Sequence, residues 1–258
     1  MDDLQGKVAL VTGIVNRRSI AYAAAEDLAA QGCRLALTYQ PLDREGTQEK
    51  IRKLTEGFAP DLLLPMDVTD DASMAAVSGQ IRERLGRLDV VLHSVASAKR
   101  DELSGRPSEI SLEGFLYAQQ VSAYSLIALV RHARPLLAVE GGSVITLTYI
   151  GSERATVNYN VMGSAKASLE SAVRYLAMEL GPERIRVNAV SAGPIRTLSA
   201  SGIKDFLDLL HNAAEKNALK RNVTAEEVAH AVTFLAGPRS AGITGQTLFV
   251  DGGFNIYG

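Results

Sequence analysis

A tyrosine and a lysine stand seven residues apart in the segment Tyr159-Asn-Val-Met-Gly-Ser-Ala-Lys166. At about 3.6 residues per helical turn, that spacing puts both on one face, with Met162 between them. A phenol can donate a hydrogen bond to an oxygen that is gaining charge, and an ammonium group can hold the hydroxyls of a ribose. The lysine's charge also favours anionic character on nearby oxygen, which predicts a lowered phenol pKa. Tyr149 closes an apolar run ahead of this segment, so its ring can reach the same space.

A second set of residues could bind what the lysine holds. The first apolar run leads into Gly13-Ile-Val-Asn-Arg-Arg-Ser19-Ile20. A glycine that ends a strand, with a helix opening a few residues later, points backbone N–H groups and a helix dipole at a pyrophosphate. The full G-x-G-x-x-G pattern is absent; only its first glycine stands. Ser19 read alone is equally an N-cap. Gln40 falls at the end of the second run, where a ribose 2′-hydroxyl is normally met, and it brings no cation for a 2′-phosphate. Asp67 and Val68 suit an adenine edge, and Ser94, Val95 and Ala96 are small enough to let a cofactor pass close. Ser191-Ala-Gly-Pro-Ile195-Arg-Thr197 can offer backbone groups to a nicotinamide carboxamide, with the Thr197 hydroxyl near the pyrophosphate. Arg17, Arg18 and Arg44 are the cations that could meet a 2′-phosphate. The reading is NADH, with NADPH as the alternative.

These residues need a scaffold, and the chain supplies one by alternation. Short runs rich in Val, Ile and Leu at 7–12, 34–39, 62–65, 89–94, 143–149, 185–191 and 247–250 read as strands buried on both faces. Helix-period stretches at 19–31, 44–57, 70–85, 112–137, 158–180 and 225–236 separate them. The expectation is a single Rossmann-like, doubly wound α/β domain over residues 1–258. Its seven-stranded parallel sheet would have helices on both faces. Segment 197–222 breaks the rhythm with an extra amphipathic stretch containing Ile203, Phe206, Leu207 and Leu210, which reads as a substrate lid.

Bulk properties narrow the class. A formal charge of −2 gives no electrostatic reason for a nucleic-acid or membrane partner. The single cysteine, Cys33, excludes an intrachain disulfide and reads as buried filler. No apolar stretch approaches the roughly 20 residues of a membrane helix. The acidic start, Asp2 and Asp3, lacks the features of a secretion signal, so the expected location is cytoplasmic. The four histidines are scattered, His93 reads as structural, and no metal site is expected.

Taken together, the motifs resemble the short-chain dehydrogenase/reductase superfamily over essentially the full length. Within it the chain is similar to the enoyl-acyl-carrier-protein reductases of bacterial and plastid fatty-acid synthesis. Ordinary superfamily members carry Tyr-x3-Lys preceded by a serine; here Tyr-x6-Lys stands, with Tyr149 in the serine's place. The runs Tyr159-Asn-Val-Met-Gly, Ala165-Lys-Ala-Ser-Leu, Ser191-Ala-Gly-Pro-Ile-Arg-Thr, Ala200-Ser-Gly-Ile-Lys-Asp-Phe206 and Val250-Asp-Gly-Gly-Phe254 match the same pattern. A carbonyl reductase of the superfamily is the competing reading. A non-catalytic nucleotide-binding regulator would have lost Tyr159 or Lys166, and both are present.

The resemblance implies that Tyr149, Tyr159 and Lys166 are catalytic. Tyr159 would donate to the substrate carbonyl and steady the enolate, and Lys166 would hold the cofactor ribose. Ala98, Tyr149, Tyr159, Met162, Ile203 and Phe206 would wall the acyl pocket, and Gln40 would go with NADH. The partner would be acyl carrier protein bearing an enoyl thioester. The assembly would be a homotetramer, with 112–137 and 158–180 as its interface. One departure stands out: where the family has phenylalanine in a His-(Ser/Cys)-Ile-(Ala/Gly)-Phe-Ala pattern, this chain has Ser97. The pocket wall should be roomier or more polar there.

Overall fold

A computed structural model describes residues 3–41, 46–197, 200 and 205–256. Strands β1 (Val8–Val11), β2 (Arg34–Tyr39), β3 (Leu62–Pro65), β4 (Val90–His93), β5 (Gly142–Thr148), β6 (Ile185–Ala192) and β7 (Thr247–Val250) form one parallel sheet. Their order is 3-2-1-4-5-6-7. Helices α1 (Ile20–Ala30), α2 (Thr47–Thr55), α3 (Asp71–Leu85), α4 (Leu112–Gln119), α5 (Ser125–Leu137), α6 (Asn160–Leu180), α7 (Phe206–Lys216) and α8 (Ala225–Ala236) connect and cover it. Each expected strand is present, with ends moved by a residue or so.

The strand side chains explain the two-layer cover. Leu10, Val91, Val144 and Val187 face one side, where they meet Ile81 of α3, Leu129 of α5 and Leu169 and Val173 of α6. Their sequence neighbours Val11, Leu92 and Ile145 face the other, against Leu28 of α1 and Val228 and Val232 of α8. Period-two alternation with both faces apolar is what a parallel sheet between helices requires. Local signals set the helix ends. Ser19 Oγ accepts from Tyr22 N–H at the start of α1, and Asp70 caps α3 through Ala72 N–H. Thr224 and Glu227 form a reciprocal capping box at α8.

One expected helix is not continuous. Stretch 112–137 is interrupted by a π-helical turn over Gln120–Tyr124, between α4 and α5. The turn has a local chemical cause. Ser125 Oγ, at its end, donates to Val121 O at 2.6 Å, while buried Ser122 bonds out of the helix to the loop after β4. Side chains that bond across the helix wall distort the regular ladder. Segment 197–222 is also more regular in its described part than the amphipathic pattern alone indicates. Its described part includes an eleven-residue helix, α7, with Phe206 buried at its first position.

Strand order sets the position of a ligand. From β1 the chain builds outward to β3, then crosses to β4 on the other side of β1. A crevice therefore opens where the loops after β1 and β4 diverge.

Candidate active site

Gly13 lies at that crevice. Its φ is +83°, and a β-carbon built on it would stand 1.9 Å from the Ser94 carbonyl oxygen. Only glycine allows the two loops to approach so closely. From Gly13 the backbone turns into α1, with Ser19 Oγ donating to Asn16 O at 2.7 Å. The first-turn amides of Ile20 and Ala21 have no carbonyl within the helix to bond, and Ile20 lines the crevice. This is a surface suited to a phosphate.

The crevice has two branches that share Gly13, Val15, Ser94, Val95, Ala96 and Ser97. One branch runs over β2 and β3 and is lined by Gln40, Asp67 and Val68. Asp67 Oδ1 accepts from both Thr69 N–H (2.8 Å) and Thr69 Oγ1 (2.7 Å), which shapes that loop. The other branch, about 380 Å³, contains Ser19, Ile20, Ala98, Tyr149, Tyr159, Met162, Lys166, Ile195, Thr197 and Phe206. Thr197 Oγ1 there accepts from Ala200 N–H at 3.1 Å. Every predicted site residue but one therefore lines one branch or both; the exception, Ile203, lies outside the described residues. Arg44 is outside them as well. Arg17 and Arg18 are exposed and line neither branch.

The tyrosine–lysine geometry follows from α6. Tyr159 is the residue preceding this helix rather than part of it, and Lys166 lies two turns in. The Tyr149 ring meets the Tyr159 ring edge-on at 4.9 Å. Gly151 makes room for that contact, since a β-carbon there would lie 2.5 Å from Tyr159 Cδ1. Lys166 is 5% exposed, and its Nζ donates to Leu147 O at 2.7 Å. Burial lowers the Lys166 ammonium to about 8, with Glu170 acting in the opposite direction.

The phenols behave differently from the expectation. Burial, with Tyr149 second, raises Tyr159 above the ordinary phenol value. Tyr149 is pushed up to about 12, first by burial and then by Asp251. The expected lowering by Lys166 is overturned. Desolvation of the ring outweighs the lysine, whose ammonium is turned toward the Leu147 carbonyl. Both phenols are therefore neutral donors near pH 7.

Behind the cleft, His93 is 1% exposed and held at both ring nitrogens, by Thr146 Oγ1 and Ser125 Oγ, each at 2.8 Å. Because Ser125 Oγ already donates to Val121 O, it accepts from Nε2–H, while Thr146 Oγ1 lies within hydrogen-bonding distance of both Nδ1 and the His93 carbonyl oxygen. Burial lowers His93 to about 3, so it is a neutral structural strut. Cys33 is half-buried rather than enclosed, and burial pushes its thiol up to about 12. Among the described residues no His, Cys, Asp or Glu group could hold a metal ion. No helix among them is long and apolar enough to cross a membrane.

Sequence reading missed several contributors. Ser97 Oγ accepts from Tyr117 at 3.2 Å, and its N–H donates to Ser122 Oγ at 3.0 Å. Tyr117 and Ser122 belong to a helical stretch whose pattern alone gave no sign of the site. Lys50 of α2 joins Gln40 in the β2–β3 branch, and Arg100 and Leu103 line the other. No motif marks any of them; only the fold brings them there.

A parallel sheet in this order, with a glycine turn at its switch point and a tyrosine–lysine pair beside it, defines the short-chain dehydrogenase/reductase class. The model of the enoyl-(acyl carrier protein) reductase family matches residues 13–255. Curated relatives named enoyl-acyl-carrier-protein reductase (NADH) FabI are 48% identical in Synechocystis and 45% identical in Bacillus cereus. Each aligns over 258 residues, covering 100% of both chains. The crystal structure of the Bacillus cereus enoyl-acyl carrier protein reductase with NADP+ and indole naphthyridinone has a TM-score of 0.96 at 45% identity, covering 100% of each chain. That of the Anaplasma phagocytophilum reductase in complex with NAD has a TM-score of 0.94 at 40% identity, covering 99% of this chain and 96% of the other. The chain belongs to the enoyl-(acyl carrier protein) reductase family.

Proposed function

We propose that this chain reduces the trans-2 double bond of enoyl thioesters carried on acyl carrier protein, in fatty-acid elongation, with NADH as the reductant. The carrying observation is that Tyr149, Tyr159 and Lys166 share one cleft with Gly13, Ser19 and Ile195. The residues fit a dinucleotide: the Gly13 cradle would be filled by any β-carbon, and the first-turn amides of α1 border it. Gln40, Asp67 and Val68 would hold the adenosine half. Ser94, Val95, Ile195 and Thr197 would border the remainder. The relatives' names specify NADH; among the described residues Lys50 is the cation lining the Gln40 branch, where it would meet the 2′-phosphate of NADPH.

Bound there, the reduced nicotinamide would supply the hydride that adds to the substrate β-carbon. Lys166 orients the ribose through its ammonium. Tyr159, kept protonated by its burial, donates a hydrogen bond to the thioester carbonyl oxygen. That bond strengthens as negative charge gathers on the oxygen, so it stabilises the transition state more than the bound substrate. Tyr149 fixes the ring of Tyr159 from the side and, with Ala98, Met162 and Phe206, walls the acyl chain. Ile203 belongs to the same wall in this reading. The carbonyl-reductase alternative needs a tyrosine four residues before the lysine, and Met162 is there.

The reading extends to a single catalytic domain covered by a lid at 197–222, working in the cytoplasm. It also extends to a homotetramer paired through the α4–α5 stretch and α6. Exposed Leu112 and Leu116 on α4, and Tyr175 and Met178 on α6, support that pairing. Purified protein is expected to consume NADH only when an enoyl thioester is supplied. Consumption with ketones but not with enoyl thioesters overturns the assignment.

A further inference from the structure

Glu170 lies on α6 one turn beyond Lys166 and is 6% exposed. A carboxylate that deep is costly unless its oxygens are bonded or its charge is balanced. Its Oε1 accepts two hydroxyl hydrogens, from Thr148 Oγ1 at 2.6 Å and from Ser152 Oγ at 2.6 Å. Those two residues bracket Tyr149. Thr148 ends β5, and Ser152 closes the short 3-10 turn Ile150–Ser152 that follows Tyr149. Within that turn, Gly151 lies against the Tyr159 ring, and its carbonyl oxygen would be 2.8 Å from a β-carbon on Gly163. One oxygen on α6 therefore ties down both ends of the segment that carries one phenol and abuts the other.

We propose that Glu170 is a positioning residue for this reaction. It clamps the 148–152 turn so that Tyr149 and Tyr159 keep their edge-on contact, and it balances the buried charge of Lys166. The inference rests on the ribose-holding role of Lys166 given above. The charged and titratable groups around Lys166 are Glu170 on its own helix, His93 from β4, and Tyr149 and Tyr159 from the β5–α6 connection. His93 and both phenols are neutral near pH 7, which leaves Glu170 as the negative charge in that set.

Two variants separate the two jobs. Glu170→Gln keeps an oxygen that can accept both hydroxyls but removes the charge. Thr148→Val with Ser152→Ala removes both hydroxyls and keeps the charge. NADH affinity measured by fluorescence titration from pH 6 to 10 is expected to have its midpoint lowered by about one unit or more in Glu170→Gln, with far-UV circular dichroism unchanged. The double variant is expected to keep the wild-type midpoint and lose about tenfold or more in kcat, from a misplaced Tyr149. A Glu170→Gln midpoint equal to wild type, or a double variant with wild-type kcat, overturns the corresponding role. Lys166→Met run alongside isolates the underlying reading. If that variant binds NADH like wild type, the ribose role of Lys166 fails; if it binds weakly while Glu170→Gln has an unmoved midpoint, only the present inference fails.

Discussion

The rings of Tyr149 and Tyr159 meet edge-on, centroids 4.9 Å apart and planes inclined at 69°. In that arrangement the edge of one ring lies against the face of the other, a favourable contact of about 0.5–1.5 kcal/mol beyond area burial. The contact fixes the ring and leaves the hydroxyl to act. Tyr159→Phe preserves the ring and removes only the donor. Its kcat should fall about a hundredfold to a thousandfold, the size seen for loss of one oxyanion donor, with NADH affinity close to wild type. Steady-state kinetics beside a binding titration measures both. Equal losses in kcat and in NADH affinity would show that the phenol serves the cofactor instead.

Lys166 makes cofactor binding sensitive to pH. Its folded-state pKa is about 8, so the ammonium is complete below that value and is lost as pH rises through it. NADH affinity should be flat from pH 6 to 7.5 and then decline by up to about tenfold per pH unit. Lys166→Met should bind weakly and without that slope. A wild-type profile flat to pH 10 contradicts the assignment.

Gly13 offers no tolerance. Gly13→Ala would force an alanine into the left-handed region, at a cost of about 1–2 kcal/mol, before any clash with the Ser94 carbonyl is counted. The variant should lose stability by at least that much in urea denaturation, and lose most NADH binding. Wild-type values for both would mean the β1 and β4 loops can part at little cost.

Acid should weaken the fold through His93. Its pKa is about 3 in the folded protein against an ordinary 6.5, so below pH 6.5 the unfolded chain takes up a proton that the folded chain refuses. Stability from this group is therefore complete above pH 6.5 and falls as pH drops toward 3, by up to about 1.4 kcal/mol per unit. Urea midpoints at pH 7, 5.5 and 4.5 should decline in wild type and decline less in His93→Gln. Parallel declines in the two proteins would assign the acid sensitivity to other groups.

Much of this arrangement is legible in the amino-acid sequence. Apolar runs such as 34–39 and 185–191 carry their own signal, because a strand covered on both faces has nowhere to put a polar side chain. The Tyr159–Lys166 spacing and the glycine after β1 were equally visible, since each is a local constraint. What escaped is non-local or electrostatic. Tyr117, Ser122 and Glu170 act through partners 18–25 residues away in sequence, or on another element, and no spacing rule reaches that far. The phenol pKa runs against the sequence expectation because desolvation depends on everything around the ring, whereas the sequence displays only the neighbouring cation. Ser97 stands out in the sequence as a departure, but nothing there points to its hydroxyl partner Tyr117.

The π turn at Gln120–Tyr124 places a spare residue inside an otherwise regular rod. A π turn takes in one residue more than an α turn for nearly the same rotation, so the extra residue is absorbed locally and α5 keeps the face that an uninterrupted helix would give it. A residue added or removed within the regular turns of α5 has no such outlet and would turn everything beyond it by about 100°, offering the sheet a different stripe. That helix should therefore accept exchanges of side chain far more readily than a change of length.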